Sequence, residues 1–233
     1  MKDELGKRMK ENYEDRYRIK LTRRMPVIIR LDGKSFHTFT KQCHKPFDEL
    51  YNRIMYRITE YLITNIQGAK VAYTQSDEIS LLLTDFDKLT TDAWFDYNVQ
   101  KMTSVSSGMA SGFLCLECEK WFRKLIYPEV FDSRVFNIPR EEVTNYFIWR
   151  QKDWIRNSVQ MLAQSVFSHK ELNGKNQSSM HDMLYTKGIN WADLNDKWKN
   201  GIFIFKEDTS YKKRTDIILT DNREMIERYL KDA

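Results

Sequence analysis

Apolar positions in this chain fall into short runs of strand length and into stripes of helical spacing. Residues 27–31 form one such run, and residues 71–74 and 79–83 form two more. Phe47, Leu50, Ile54, Ile58 and Tyr61 recur every three or four positions, the stripe of an amphipathic helix that Lys45-Pro46 opens and Gly68 stops. Gln75-Ser76-Asp77 reads as a tight connection between the second and third strands. Residues 92–118 read as a second helix, and the small residues between 104 and 112 imply close packing against a neighbour. Residues 131–138 form a fourth strand, closed by Pro139.

The order is β-α-β-β-α-β, the split βαβ or ferredoxin-like pattern that also forms the core of nucleotide-polymerising palm domains. The expected fold class is therefore α/β (α+β), with additional C-terminal helices. The palm-like core would span about residues 25–140, and residues 141–233 would form a helical part within one catalytic domain. Residues 141–168 predict a long helix with Trp149, Ile155, Val159 and Leu162 inward. Residues 169–182 are polar and loop-like, with short helices expected around Met183 and over 191–199. Residues 202–205 read as a late strand and 221–231 as a terminal helix. Ahead of the core, residues 1–24 are charged and helical in pattern.

At 233 residues and 41% apolar content, a sizeable core is possible. A net charge of +5 permits a polyanionic partner such as nucleic acid. No apolar stretch approaches a membrane span, and the Lys/Glu-rich start lacks a signal peptide's apolar core. The expected compartment is the cytoplasm, with no membrane partner. Cys43, Cys115 and Cys118 cannot build a disulfide framework, and the Cys-x-x-Cys pair reads as small buried hydrophobes.

The candidate chemistry centres on two acids. Asp32 ends the first strand, and Asp77 sits in the turn joining the second and third. In the expected topology strands one and two run parallel with strand three between them, so both acids reach one edge. Taken singly, each is an ordinary polar turn. Together they repel unless cations bind between them, and magnesium suits carboxylates that share it with phosphate oxygens. Gly33 lets the backbone turn sharply, and the N–H groups of Gly33-Lys34-Ser35 can cradle phosphate oxygens. The upstream glycine of a P-loop is missing, which excludes that motif. Glu78 points away from Asp77 and reads as a supporting contact. His37 lies within reach of the Gly33 turn, whereas His44, His169 and His181 show no ligand spacing. Lys45 could reach a phosphate. Arg134, Arg150, Lys152, Arg156 and Asn157 are candidates for RNA contact, with Trp149 and Trp154 nearby.

These residues resemble the tRNA-histidine guanylyltransferase superfamily, the reverse (3′ to 5′) nucleotide polymerases. The shared words are Arg30-Leu31-Asp32-Gly33, Phe36-His37, Lys45-Pro46, Tyr73-x-Gln75-Ser76-Asp77-Glu78, Phe131-Asp132-x-Arg134-Val135 and Trp149-Arg150-Gln151-x-Asp153. The resemblance implies two magnesium ions on Asp32, Asp77 and the Gly33 carbonyl. It implies a nucleoside triphosphate held by the turn through Lys34, Ser35, Phe36 and His37 together with Ser76. It assigns Lys45 to an activation step. ATP would adenylylate a tRNA 5′-phosphate, and the 3′-hydroxyl of GTP or another NTP would then attack. A homotetramer gripping tRNA across subunits is also implied.

One segment departs from the family pattern. Histidine-tRNA-specific members carry His-Ile-Asn-Asn-Leu-Tyr-Asn after the Arg-Gln-x-Asp word, and here residues 155–161 agree only at Asn157. This points to the guanylyltransferase-like branch of bacteria and archaea, which adds template-matched nucleotides to 5′-truncated tRNA. A dedicated histidine-tRNA guanylyltransferase, a nucleotidyl cyclase on the same palm, and a non-catalytic RNA-binding module are the alternatives.

Overall fold

The computed structural model of the protein describes residues 3–122 and 130–231. In chain order the elements are α1 (Glu4–Met9), β1 (Val27–Gly33), α2 (Phe36–Phe39), α3 (Glu49–Asn65), β2 (Ala69–Gln75) and β3 (Glu78–Leu83). They continue with α4 (Val99–Phe122), β4 (Phe131–Asn137), α5 (Arg140–Gln164), α6 (His169–Leu172), α7 (Gln177–Thr186) and α8 (Asp196–Asn200). The chain then adds β5 (Ile202–Glu207), β6 (Ser210–Arg214) and α9 (Glu224–Glu227). The strands form one antiparallel sheet in the order β4-β1-β3-β2-β5-β6. Both β1 and β2 run against β3, so they run parallel to each other, as the βαββαβ reading requires.

Apolar runs rather than alternation mark the central strands because both sheet faces are covered. Val27, Ile29 and Leu31 point into a core with Ile54, Ile58 and Leu62 of α3 and Ala110 and Leu114 of α4. Ile28, Val71, Tyr73 and Leu82 point the other way, against Val143 and Phe147 of α5 and against Ile217, Leu219 and Ile226. A smaller cluster, with Leu162, Leu172 and Leu184, joins α5 to the α6–α7 region. The C-terminal part thus returns to the same sheet through β5, which pairs with β2 over Val71–Thr74. Among the described residues no helix is long and apolar enough to cross a membrane.

Several local expectations are corrected. The N-terminal segment is α-helical only over Glu4–Met9; a π turn and a 3-10 turn follow, and none of these residues is buried. Helix α4 starts at Val99 rather than near residue 92. Phe95, Asp96 and Tyr97 ahead of it hold φ of +52°, +50° and +54°, a left-handed turn that no helical spacing encodes. On α4 only part of the small-residue set packs closely. Ser106 bonds Ser133 at 2.7 Å and Ser111 accepts the Phe131 N–H at 3.0 Å, whereas Gly108 and Gly112 face open space. The stretch after α5 is not a loop but contains α6, opened by a Ser168–Glu171 capping box, and the start of α7. The terminal helix shrinks to Glu224–Glu227. Trp149 is 53% exposed instead of inward, while Trp154 is buried.

Candidate active site

The strand order brings Asp32 and Asp77 to one edge of the sheet. Asp32 is the penultimate residue of β1 and pairs across to Glu78, the first residue of β3. The Gly33 N–H donates to the Asp77 carbonyl at 3.1 Å, which ties the end of β1 to the β2–β3 turn. Ser76 adopts φ +48°, the left-handed backbone that lets the turn reverse in two residues. Burial, and then the charge of Asp32, pushes the Asp77 carboxyl above the ordinary carboxylate value, against the pull of local hydrogen bonds. Two acids forty-five positions apart therefore share one electrostatic environment.

The turn after β1 is anchored from below. Phe36 is buried and packs on Phe131 at 5.0 Å and Phe39 at 5.8 Å. A Cβ on Gly33 would lie 2.4 Å from the Phe36 ring, so glycine is needed for this close approach. The Lys34 N–H donates to the Val130 carbonyl at 2.8 Å. Lys34, Ser35 and His37 are left exposed above this anchor, as is Lys45. Phe36 thus supports the turn from the core side.

Glu78 has a different fate from the two acids beside it. Only 4% exposed, it accepts two hydrogen bonds from Arg150 at 2.6 Å each and one from Arg30 at 2.7 Å. Asp153 extends this network through Arg150 at 3.0 Å and through Arg156. Trp149 covers both arginines, with its ring 5.9 Å from the Arg30 guanidinium and 4.4 Å from that of Arg150. That is why an exposed tryptophan sits at this place on α5.

Two hollows meet at the β2–β3 turn. One is a polar cleft of about 390 Å³ that includes Asp32, Asp77, Glu78, Arg150 and Asn157. The other is lined by Phe47, Tyr51, Trp154 and Trp198, with Lys45 and His44 also on its wall. Its aromatic wall is ordered by a Phe47–Trp198 stack at 5.0 Å and 10°. Gln75, Ser76, Trp154 and Met161 line both. Ser76 therefore stands at the junction of an aromatic compartment and a carboxylate-bearing one.

The donor set around Asp32 and Asp77 is oxygen-only. Among the described residues no group of three or more His, Cys, Asp and Glu could enclose a metal. Two mutually repelling carboxylates without a third ligand do not make a self-sufficient cage. They do fit magnesium, which keeps waters and takes phosphate oxygens as its remaining ligands. Asp132 pairs in register with Asp32 on the other side but is half exposed and bonded to Arg134.

The RNA-contact candidates separate. Arg134 is exposed on the edge strand β4, and Lys152 and Arg156 are exposed on α5. Asn157 lines the polar cleft. Arg150 is buried and occupied by Glu78 and Asp153, so it is not free to grip a phosphate from solution. Sequence reasoning gives Tyr51, Phe47 and Trp198 no part in this region, and Asp153 enters it only within a shared family word. Phe47 falls by spacing in the helical stripe, yet it precedes α3, whose N-cap Asp48 accepts the Tyr51 N–H at 2.8 Å.

Comparison with known proteins agrees with this architecture. A bacterial tRNA(His) guanylyltransferase (Thg1)-like protein in complex with ATP is 44% identical, with a TM-score of 0.92 over 97% of this chain and 99% of that one. Another structure of this kind, in complex with GTP, is 40% identical with a TM-score of 0.83 over 98% and 99%. The probable tRNA(His) guanylyltransferase of Dictyostelium discoideum is 26% identical, covering 86% of this chain and 83% of its own length. The family model described as tRNAHis guanylyltransferase matches residues 6–139, more than half of the chain. The chain belongs to this family of nucleotidyltransferases.

Proposed function

We propose that this protein is a magnesium-dependent 3′–5′ RNA nucleotidyltransferase that extends the 5′ end of truncated tRNA with template-matched nucleotides. The observation that carries the reading is the junction at Ser76. Asp32 and Asp77 line the polar cleft on one side of it, and an aromatic compartment fit for a nucleobase opens on the other. Structures of similar proteins with ATP and with GTP support a nucleoside triphosphate as the ligand.

The residues act as follows in this reading. The aromatic compartment takes the base. The turn from Gly33 to His37, with Ser76, holds the triphosphate by backbone N–H and side-chain donors. Asp32 and Asp77, with the Gly33 carbonyl, are the groups that would hold two magnesium ions, which supply charge stabilisation at the attacking and leaving oxygens. Lys45, exposed beside the base compartment, neutralises the phosphates during ATP-dependent activation of the RNA 5′-phosphate. The 5′-phosphate displaces pyrophosphate from ATP, and the 3′-hydroxyl of the incoming nucleotide then displaces AMP. Arg134, Lys152 and Arg156 contact the RNA backbone, and Asn157 lies in the cleft where its 5′ end would enter. The whole chain works as one catalytic unit, supported by the pairing of β5 with β2. A homotetramer gripping tRNA across subunits completes the reading.

The experiment is incubation with a 5′-truncated tRNA, ATP, labelled NTPs and magnesium, followed by sizing of the RNA. Growth of the RNA that requires both ATP and magnesium is expected. A cyclic nucleotide formed without RNA would contradict the reading in favour of a cyclase. Bound tRNA with no nucleotide consumed would reduce the protein to a binding module.

A further inference from the structure

The segment ahead of β1 stands off the body of the protein. Every residue from 3 to 20 is exposed except Gly6, which is partly covered. Its root is nonetheless fixed. The Ile19 carbonyl accepts the Val99 N–H at 3.0 Å, and the Leu21 N–H donates to the Tyr97 carbonyl at 3.0 Å. Beyond that root, α1, the π turn and the 3-10 turn run on from one another, with six, five and three residues, from Glu4 to Tyr17. A helix this short is marginal in water by itself and ordinarily rests on a packed apolar face. None of these residues is buried within the single chain.

An apolar face is present all the same. Leu5, Met9, Tyr13 and Tyr17 recur at four-residue steps and are 61%, 41%, 63% and 71% exposed. Four-residue steps stay on one side of a helix. The wider π turn over Lys10–Glu14 takes up the drift of such a step past an α turn of about 3.6 residues. The charges around this face come in blocks of alternating sign. Asp3 and Glu4 are followed by Lys7, Arg8 and Lys10, then by Glu11, Glu14 and Asp15, and last by Arg16 and Arg18. Five acidic and five basic side chains cancel over residues 3–18. The segment thus lacks the excess of cations that holds RNA or an anionic membrane surface. An apolar stripe flanked by balanced charge is suited to another helix, with the charges setting which partner and which direction.

The order of the blocks identifies that helix. Reversed end to end, the run of signs is its own complement. Two copies laid antiparallel, with Leu5 opposite Tyr17 and Met9 opposite Tyr13, bring each acidic block against a basic one. Laid parallel, each block meets its like. Antiparallel contact between identical segments is a two-fold, self-complementary interface that closes as a pair. We propose that residues 4–17 dock against the same segment of a second copy of this chain. This names one contact of the assembly in the reading above and rests on that assembly. With so few residues a side the contact is at the small end of specific interfaces, so pairing through it depends on protein concentration.

Charge exchange in the full chain tests this. One variant carries Lys7→Glu, Arg8→Glu and Lys10→Glu, and another carries Glu11→Lys, Glu14→Lys and Asp15→Lys. Each alone sets like charges against like in the antiparallel pair, whereas the two together are complementary along the whole segment. Molecular mass is measured across a dilution series for wild type, for each variant and for their equimolar mixture, without nucleotide or RNA. Each variant should self-associate at least about tenfold more weakly than wild type, and the mixture should regain the wild-type mass. A variant that had merely lost its fold would not be rescued by mixing. Variants that keep the wild-type mass, or a mixture that fails to restore it, would overturn the arm contact and leave the assembly and the nucleotide site standing. So would unchanged masses with weaker tRNA binding by the first variant alone, which would assign the segment to RNA. A wild-type protein that stays monomeric throughout would overturn the assembly as well.

Discussion

Glu78 and Arg150 form a buried, two-pronged charged contact at the site, with both carboxylate oxygens accepting from the guanidinium at 2.6 Å. Seventy-two positions apart, they lock β3 to α5 immediately beside Asp77. A buried pair of this kind is costly to break from one side, because the remaining charge is stranded. Arg30 adds a second stranded cation if Glu78 is lost. Glu78→Gln should therefore destabilise the protein by about 3–5 kcal/mol in denaturant unfolding. A variant as stable as wild type would show that the pair does not hold α5 against the sheet.

Asp77 carries a pH-dependent stability effect of opposite sign to an ordinary salt-bridged acid. Burial and Asp32 raise its carboxyl in the folded state. The folded protein then prefers the protonated form, so stability is highest below the unfolded value near 3.8 and is lost as pH rises through the folded value. Asp77→Asn should be more stable than wild type at pH 7, with the gap closing on acidification toward pH ~4. It should also lose both activation and nucleotide addition, as should Asp32→Ala. Full turnover by either variant at saturating magnesium would remove the two carboxylates from the mechanism.

Gly33 shows why the turn after β1 was legible while its reason was not. A tight turn after an apolar run is visible in the sequence, but the Phe36 ring that would meet a Cβ at 2.4 Å is not. Gly33→Ala should cost about 1–3 kcal/mol, the range for overpacking, and should weaken ATP binding more than tRNA binding. Equal effects on the two ligands would argue against a phosphate-holding turn.

The core topology could be read because its strands are buried on both faces and so appear as unbroken apolar runs. The acids follow directly, since each closes such a run. What escaped has a common cause in long-range or polar contacts. Strand β6 (SYKKR) has no apolar alternation and exists because it pairs with β5. The left-handed turn at Phe95–Tyr97 is held by a distant partner segment, where Arg23 bonds Asp85 at 2.6 Å and Asp96 at 3.3 Å. Trp149 and Trp154 differ in burial because Trp149 covers two arginines while Trp154 edges against Phe47 at 6.4 Å.

The RNA-contact candidates should separate in a salt titration. Lys152, Arg134 and Arg156 are exposed, so replacing any one by alanine should lower the slope of log affinity against log salt by about one ion. Arg150→Ala should instead lower the unfolding midpoint, because its guanidinium is taken by Glu78 and Asp153. An Arg150 variant with wild-type stability and a reduced salt slope would reverse that assignment.

The central claim is that base pairing, rather than the protein, chooses the nucleotide added. Double-stranded RNA is recognised mainly through its shape and backbone, which leaves the identity of the incoming base to the template. The direct measurement uses a 5′-truncated tRNA whose unpaired opposing base is set to each of the four identities, assayed with each NTP in turn. The account predicts that the added base follows the opposing base in all four RNAs and on more than one tRNA. Addition of guanosine whatever the opposing base, and only to histidine tRNA, would contradict it and place the chain with the dedicated guanylyltransferases.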